Sequence, residues 1–356
     1  MQSFLKDIKV LELAGVLAGP AVATFLAELG AEVIKIESPQ GDVTRSWKLE
    51  NEDKSTKVSA YFSSVNYGKK YLTLDLRDEK QKQEFYSLVK TADIVITNYK
   101  KGDDIKLGVD YSTLKHLKPG IIHASINGYG EDAERTAFDA VLQAETGFMS
   151  MNGTLESGPI KMPVALIDVL AAHQLKEGIL VALLNKLKTG KGAKVSVSLY
   201  DAAVASLMNQ GSNWLMNNEI PTRQGSLHPN IAPYGETFLT KDNKYILLAA
   251  GNDAQFLQLC KITGNENLSK DERFSSNQNR VKNRKEMFDY FANKMKSDTA
   301  ENWNSKLTLA KIPNGIIKNL KEVFEDNHAS SLVKTEVING IETKRVQNSI
   351  FKIQIE

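Results

Sequence analysis

The chain has 356 residues, of which 42% are hydrophobic and 25% charged, and a formal net charge of +2 at pH 7. That length exceeds what a single core usually serves, so two domains are expected, and the apolar content excludes a disordered chain. The near-balance of charge excludes a partner held mainly by electrostatics, such as nucleic acid. The one cysteine, Cys260, excludes an intrachain disulfide and fits a reducing compartment.

In chain order the elements alternate. Residues 8–13 are apolar with β-branched content and read as a strand. Gly15 and Gly19 bracket a turn, and Pro20 stands where the first helical residue is expected, its missing N–H being harmless there. Residues 21–29 read as an apolar helix stopped by Gly30, and residues 33–36 as the next strand. A helix N-terminus at the end of a parallel strand is a ready anion site for phosphate or carboxylate. The same segment imitates a dinucleotide-binding unit, with Glu37 placed as the ribose ligand. Its spacing is G-x-x-x-G-P, however, and the third glycine of that fingerprint is missing. A βαβ unit with no ligand is the plain alternative.

Residues 71–76 alternate like a strand, 78–89 form a polar-faced helix, and 94–96 are a buried strand. Residues 111–117 read as a helix and 121–126 as a strand. This alternation predicts a parallel sheet covered on both faces. Residues 169–187 form a long apolar helix with Leu175, Ile179 and Leu183 on one face. Residues 195–200 are a strand, and Asp201 opens another helix. The lysines within 186–194 read as solvated loop residues. Beyond Gly225 the composition shifts. Residues 238–240 and 245–249 flank a turn and read as a hairpin, followed by helices near 253–263, 280–295 and 299–309. Asp298 and Glu301 are spaced for a reciprocal N-terminal cap.

Several chemistries are excluded. The histidines, His116, His123, His173, His228 and His328, show no metal-ligand spacing, so no metal is expected. There is no phosphate-binding G-x-x-x-x-G-K-[ST] and no G-x-S-x-G nucleophile elbow. Cys260 lies in an apolar helix and reads as core. No signal-peptide pattern opens the sequence and no apolar run is long enough for a membrane span, so a cytoplasmic protein is expected. Asp168 is the position to weigh. It follows an apolar run and precedes the long helix, where the helix dipole would help keep it ionised. A poorly hydrated carboxylate there can attack an acyl carbon; equally, Asp168 can be a plain N-cap. Asp201 has nearly the same context, and spacing does not choose between them.

These residues resemble the family III CoA-transferases, the CaiB/BaiF group that includes formyl-CoA transferase. Blocks match in order: Val10-Leu-Glu-Leu through Leu17-Ala-Gly-Pro20 and on to Glu37, Asp42 and Arg45; Asn66-Tyr-Gly-Lys-Lys-Tyr-Leu-Thr-Leu-Asp-Leu76; Ala92-Asp-Ile-Val-Ile-Thr-Asn-Tyr99 with Leu107-Gly-Val-Asp-Tyr111; Ser125-Ile-Asn-Gly-Tyr-Gly130 with Asp139 and Gln143; and 163–168 with 178–183. His228-Pro-Asn-Ile-Ala-Pro-Tyr234 looks like the start of the family's small domain.

The resemblance implies an α/β fold: a Rossmann-like large CoA-binding domain over 1–200, a linker at 201–224, a smaller α+β domain over 225–325 and a return segment at 326–356. It implies an interlocked homodimer, with coenzyme A as co-substrate, an acyl-CoA and a small carboxylic acid as partners, and no permanently bound cofactor. Asp168 falls at the family's catalytic aspartate, which forms an anhydride and then an aspartyl-CoA thioester. Leu17, Ala18, Ser38, Leu72, Asn98, Tyr99, Lys106 and Asn127 fall on the CoA path, and Tyr129 near the acyl group. Tyr99 is placed to stack on adenine, and Lys106 replaces a frequent arginine. Ser38, Leu17 and Asn127 stand where formyl-CoA transferase has arginine, glutamine and lysine. Its glycine-rich lid is absent too, and these departures point away from formate and oxalate; the usual P-x-L-G-E-H-T segment is also missing, which bears on the return segment and not on the fold. Two alternatives remain. The racemase branch has histidine before the aspartate of the fourth block, where this chain has Phe138, and so would lack one base. A noncatalytic CoA-binding protein would leave Asp168 dispensable.

Overall fold

A computed structural model describes residues 4–354. The chain divides into two compact units. The larger holds the residues up to 149, 161–221 and those from 331 on; the smaller holds 150–160 and 222–330.

The larger unit is built on a six-stranded sheet of β1 (Lys9–Glu12), β2 (Glu32–Glu37), β3 (Lys69–Thr73), β4 (Ile94–Thr97), β5 (Ile122–Asn127) and β6 (Ala193–Ser198). All neighbours are parallel, in the order β3-β2-β1-β4-β5-β6. The strand order reverses between β1 and β4, the place where doubly wound sheets open a crevice at their carboxyl ends. The connecting helices are α1 (Ala18–Glu28), α2 (Ala60–Ser64), α3 (Glu79–Val89), α4 (Asp103–Leu107), α5 (Tyr111–Leu117), α6 (Asp139–Glu145), α7 (Phe148–Met151), α8 (Leu166–Thr189), α9 (Leu199–Ala205) and α10 (Met208–Asn217).

Both faces of the sheet are covered, which explains the unbroken apolar runs in its central strands. Val10, Ile94 and Ile122 pack on one face with Val22, Leu26, Leu175 and Ile179. Their chain neighbours Leu11, Val95 and Ile121 pack on the other with Phe85, Val89 and Leu114. Gly19 lets α1 sit down on the end of β1: a Cβ there would lie 2.3 Å from that of Ala14. Gly30 ends the α1 turn at φ +98.

Several local expectations are corrected. The first helix starts at Ala18, so Pro20 is its third residue, still within the turn whose N–H groups have no helical acceptor. β3 covers residues 69–73 rather than 71–76. Lys186 lies on α8 and pairs with Asp93 at 2.7 Å, and Lys194 on β6 pairs with Glu131 at 2.6 Å, so neither is a free loop lysine. Residues 201–217, read as part of a connection, carry the rest of α9 and α10 in the larger unit.

The return segment forms the antiparallel hairpin of β10 (Val333–Ile338) and β11 (Ile341–Val346), again within the larger unit. It is clamped to α1: the Glu28 carboxylate accepts from Arg345 Nη2 at 2.5 Å and from the backbone N–H groups of Asn348 and Ser349 at 3.0 and 2.6 Å.

The smaller unit has an antiparallel sheet of β7 (Tyr234–Leu239), β8 (Tyr245–Ala249) and β9 (Asn314–Ile316), the first two forming the expected hairpin. Around it lie α11 (Asp253–Ile262), α12 (Asn277–Lys282), α13 (Arg284–Met295), α14 (Ala300–Leu309) and α15 (Leu320–Phe324). Phe238, Leu248, Phe256, Cys260, Phe291 and Trp303 form its core. The helix expected over 280–295 is broken at Asn283. The cap expected from Asp298 and Glu301 is instead made by Thr299, which accepts from the Asn302 N–H. Among the described residues no helix is long and apolar enough to cross a membrane.

Candidate active site

The carboxyl end of β1 runs into a loop pinned at each residue. The Ala14 carbonyl accepts from Lys35 Nζ at 2.8 Å. Gly15 is held on both sides by the Asn98 amide after β4: its N–H donates to Oδ1 at 3.1 Å and its carbonyl accepts from Nδ2 at 2.9 Å. The Val16 N–H donates to Asp42 Oδ2 at 3.3 Å. Val16 sits at φ +71, a left-handed conformation costing roughly 1–3 kcal/mol for a β-branched residue. The anion site expected at this turn is therefore narrowed to the first-turn N–H groups of α1 itself. The Gly15 and Val16 amides are already used by side chains, and the helix cap itself, Leu17, supplies no side-chain bond. Glu37 is no ribose ligand: both its oxygens are bonded to Arg45, at 2.8 and 2.6 Å.

Beneath this loop lies a fully buried charge network. Glu12 on β1 meets Lys35 on β2 at 2.9 Å and Lys69 on β3 at 2.6 Å, and Lys35 also meets Asp42 at 3.1 Å. Burial pushes Lys35 down, but Glu12 and Asp42 more than offset it and leave it raised. Burial carries Lys69 down to about 8 against the pull of Glu12.

Asp168 lies in the first turn of α8. The N-cap of that helix is Ala165, so the capping role is corrected. Asp139, at the start of α6, takes over this service: its Oδ1 accepts the Ile167 N–H at 2.7 Å and its Oδ2 accepts from Gln143 Nε2 at 2.7 Å. Gln143 Oε1 in turn accepts the Met162 N–H at 2.7 Å, fastening the approach to α8. Asp168 itself is half-buried and bonds to none of the described residues. Burial, and after it the neighbouring Asp139, push its carboxyl up to about 7. The expectation of a readily ionised group is corrected, burial being the larger cause. Asp201 is different. It is exposed on α9, and its N–H is capped by Ser198 Oγ at 2.9 Å.

One neighbour was missed. The Tyr61 hydroxyl on α2 is pushed up to about 12 by burial and then by the charges of Asp168, Asp139 and Asp42. The Trp47 ring meets that of Tyr61 edge-on at 5.0 Å. Neither residue lies in a periodic or motif-like stretch, so nothing local marks them.

The remaining site candidates fall in separate places. Leu17 and Ala18 open α1, Leu17 half-buried and Ala18 buried. Ser38 and Leu72 share a cleft of about 620 Å³, whose wall includes Arg45, Lys48, Lys57 and Asn339. Asn98 spends its side-chain amide on Gly15. Tyr99 is half-buried and packs against the core that holds Leu11, Val95 and Ile121. Lys106 is exposed and paired with Asp103 at 3.1 Å. Asn127 closes its own loop, accepting the Gly130 N–H at 2.6 Å and donating to Ser196 at 3.1 Å. The Tyr129 hydroxyl donates to Glu145 on α6 at 2.6 Å, and Arg135 lies 4.7 Å over its ring. Among the described residues no group of histidine, cysteine and carboxylate side chains is arranged to hold a metal.

A doubly wound sheet covered by a helix whose first turn carries a half-buried carboxylate, bonded to none of the described residues, defines an α/β enzyme scaffold with a candidate nucleophile, and comparison with known proteins gives it a family. The profile of CoA-transferase family III matches residues 5–351. The succinate–glutarate CoA-transferase of Agrobacterium fabrum is 36% identical over 334 residues, covering 90% of this chain and 82% of that one. The human succinyl-CoA:glutarate CoA-transferase is 34% identical, covering 90% and 73%. A crystal structure of a CaiB/BaiF family protein from Brucella suis superposes with a TM-score of 0.86 at 35% identity, covering 99% of this chain and 93% of that one. The chain belongs to family III of the CoA-transferases.

Proposed function

We propose that the chain transfers CoA from the thioester of a short dicarboxylic acid to a second carboxylic acid, with Asp168 as the nucleophile. The observation that carries this reading is the Asp168 carboxyl. It is half-buried, unbonded among the described residues and raised to about 7, a carboxylate that keeps little hydration to lose when it attacks. The dicarboxylate preference rests on the relatives named for succinate and glutarate.

The steps balance without ATP. An Asp168 oxygen attacks the thioester carbonyl and CoA leaves as thiolate, giving a mixed anhydride. The thiolate attacks the Asp168 carbonyl carbon and the donor acid leaves as carboxylate, giving an aspartyl-CoA thioester. The acceptor carboxylate displaces the thiolate to form a new anhydride. The thiolate then attacks the acceptor acyl carbon, releasing the new acyl-CoA and the Asp168 carboxylate. Each step exchanges one activated acyl bond for another.

In this reading Leu17 and Ala18 lie near the thioester, and the cleft at Ser38 and Leu72 takes part of the CoA chain. Asn98, Tyr99, Lys106 and Asn127 line the rest of the CoA path, and Tyr129 adjoins the acyl group. Tyr61 is added as a neighbour of the reacting carboxyl. A homodimer is part of the proposal: Val181, Leu184 and Leu187 on α8 and Leu215 and Met216 on α10 are exposed apolar residues that a second copy would cover. Racemase chemistry is disfavoured because Phe138 stands where that branch has histidine, so one of its two proton-transfer bases is lacking.

The test incubates the protein with a panel of acyl-CoA donors, succinyl-CoA included, and hydroxylamine, then maps the modified peptide by mass. A hydroxamate at Asp168 is expected. No adduct there, together with an active Asp168→Ala variant, overturns the mechanism.

A further inference from the structure

We propose that Asp42 is a positioning residue for CoA transfer: anchored on the buried Glu12–Lys35–Lys69 network, it holds the Val16 peptide in a left-handed conformation and so fixes the loop that leads into α1. The inference rests on the reading above, in which Leu17 and Ala18 stand beside the thioester.

The geometry is that of a platform. Glu12 is the hub, one oxygen on Lys35 and the other on Lys69. Each lysine then reaches up to the segment at issue. Lys35 Nζ donates to the Ala14 carbonyl at 2.8 Å, and Lys69 Nζ donates to the Pro20 carbonyl at 3.0 Å. The two ends of the stretch 14–20 are thereby tied to strands β2 and β3. Between them Asp42 Oδ2 bridges Lys35 Nζ at 3.1 Å and the Val16 N–H at 3.3 Å. Asp42 is itself immobilised. Its Oδ1 accepts the Thr44 N–H at 3.0 Å and the Thr44 hydroxyl at 2.7 Å, and its N–H donates to Glu37 at 2.9 Å.

A β-branched residue does not adopt φ +71 unless its surroundings impose it. Here the surroundings are charged and buried, with the Glu12 and Lys35 side chains 0% and 1% exposed. Such a network is a costly way to support a loop that has only to connect strand to helix. Holding one peptide in one strained orientation next to a reacting group is a use that matches the cost.

The test is a double-mutant cycle on kcat, KM and hydrogen exchange. Asp42→Asn keeps the shape and removes the charge that Lys35 aims. It is expected to lower kcat about 30-fold, since small misplacements near a reacting centre cost up to about 100-fold, while KM for the acyl-CoA stays within about twofold. Exchange of the amides in 14–18 should rise, with exchange in α3 unchanged. Glycine adopts φ +71 without strain. In a Val16→Gly background Asp42→Asn should therefore cost at most about threefold in kcat, a coupling that a loss of global stability would not produce. If Asp42→Asn alone does not accumulate, the ratio of Val16→Gly to the double variant reads the loss in the unstrained background, where a loss well above threefold overturns the inference. An unchanged kcat in Asp42→Asn, unchanged exchange at 14–18, or an equal loss in both backgrounds overturns the inference. A wild-type chain that transfers CoA to no acid overturns the functional reading instead, and the exchange measurement still judges the positioning.

Discussion

At the residue scale the decisive quantity is the protonation of Asp168. Its carboxyl is raised from an ordinary value near 3.8 to about 7, first by burial and then by Asp139. The nucleophile is the ionised form, so kcat/KM for the acyl-CoA is expected to rise with pH around a midpoint near 7, measured from pH 5 to 9. The same shift acts on stability. Between about 4 and 7 the native state keeps a proton that the unfolded chain has released, so stability falls as pH rises through that window. Asp168→Asn removes the liability. Its Tm should exceed that of the wild type at pH 8 and converge with it at pH 4, while transfer drops by a factor of about 1,000 or more. A midpoint near 4, or a Tm gain equal at both pH values, would contradict the assigned environment.

Individual elements set that environment through contacts distant in sequence. The first turn of α8 is capped from α6 by Asp139, and Gln143 on the same helix fixes the strand-like approach at Met162. Asp139→Ala removes an N-terminal acceptor worth roughly 1 kcal/mol and also a negative neighbour of Asp168. The expected outcome is a modest fall in Tm with a pH–rate midpoint that moves down but stays above the ordinary carboxylate range, because burial is the larger cause. The α1 entry answers to packing. Gly19→Ala places a methyl 2.3 Å from the Ala14 Cβ. It should destabilise by about 1–3 kcal/mol, as overpacking does, read by chemical denaturation.

For the larger unit as a whole, residues from 331 on are tied to α1 by the Glu28–Arg345 pair, whose side chains are each 3% exposed, and Arg345 lies 4.0 Å over the Tyr67 ring. Removing one member of such a pair leaves a buried charge uncompensated, which costs about 3–5 kcal/mol. Arg345→Ala is therefore expected to unfold at markedly lower temperature and to lose protease protection first in β10 and β11. If Tm stayed within a degree of the wild type, the return segment would be an appendage rather than part of the fold.

The order of the elements is legible in the residue pattern alone. Apolar runs of strand length alternating with amphipathic helices at short spacing admit few arrangements other than a parallel sheet covered on both faces, and Gly30 marks the end of the first helix at its own position. The pattern also supplied Asp168 as a candidate, but not its state. A carboxylate at the head of a helix reads alike as cap or as nucleophile, and Asp168 and Asp201 share that signature. The family resemblance favoured Asp168, and the packing of other segments then set their environments apart, half-burying one and exposing the other. The reason is physical: helix and strand signals are local and periodic, whereas desolvation and charge coupling depend on what other segments bring near. Tyr61, Asp139 and the Glu12–Lys35–Lys69–Asp42 network come together from elements with no common periodicity. Nor does the residue pattern show that Asn98 and Asp42 hold the Gly15 and Val16 amides, which narrows the expected anion site to the first turn of α1.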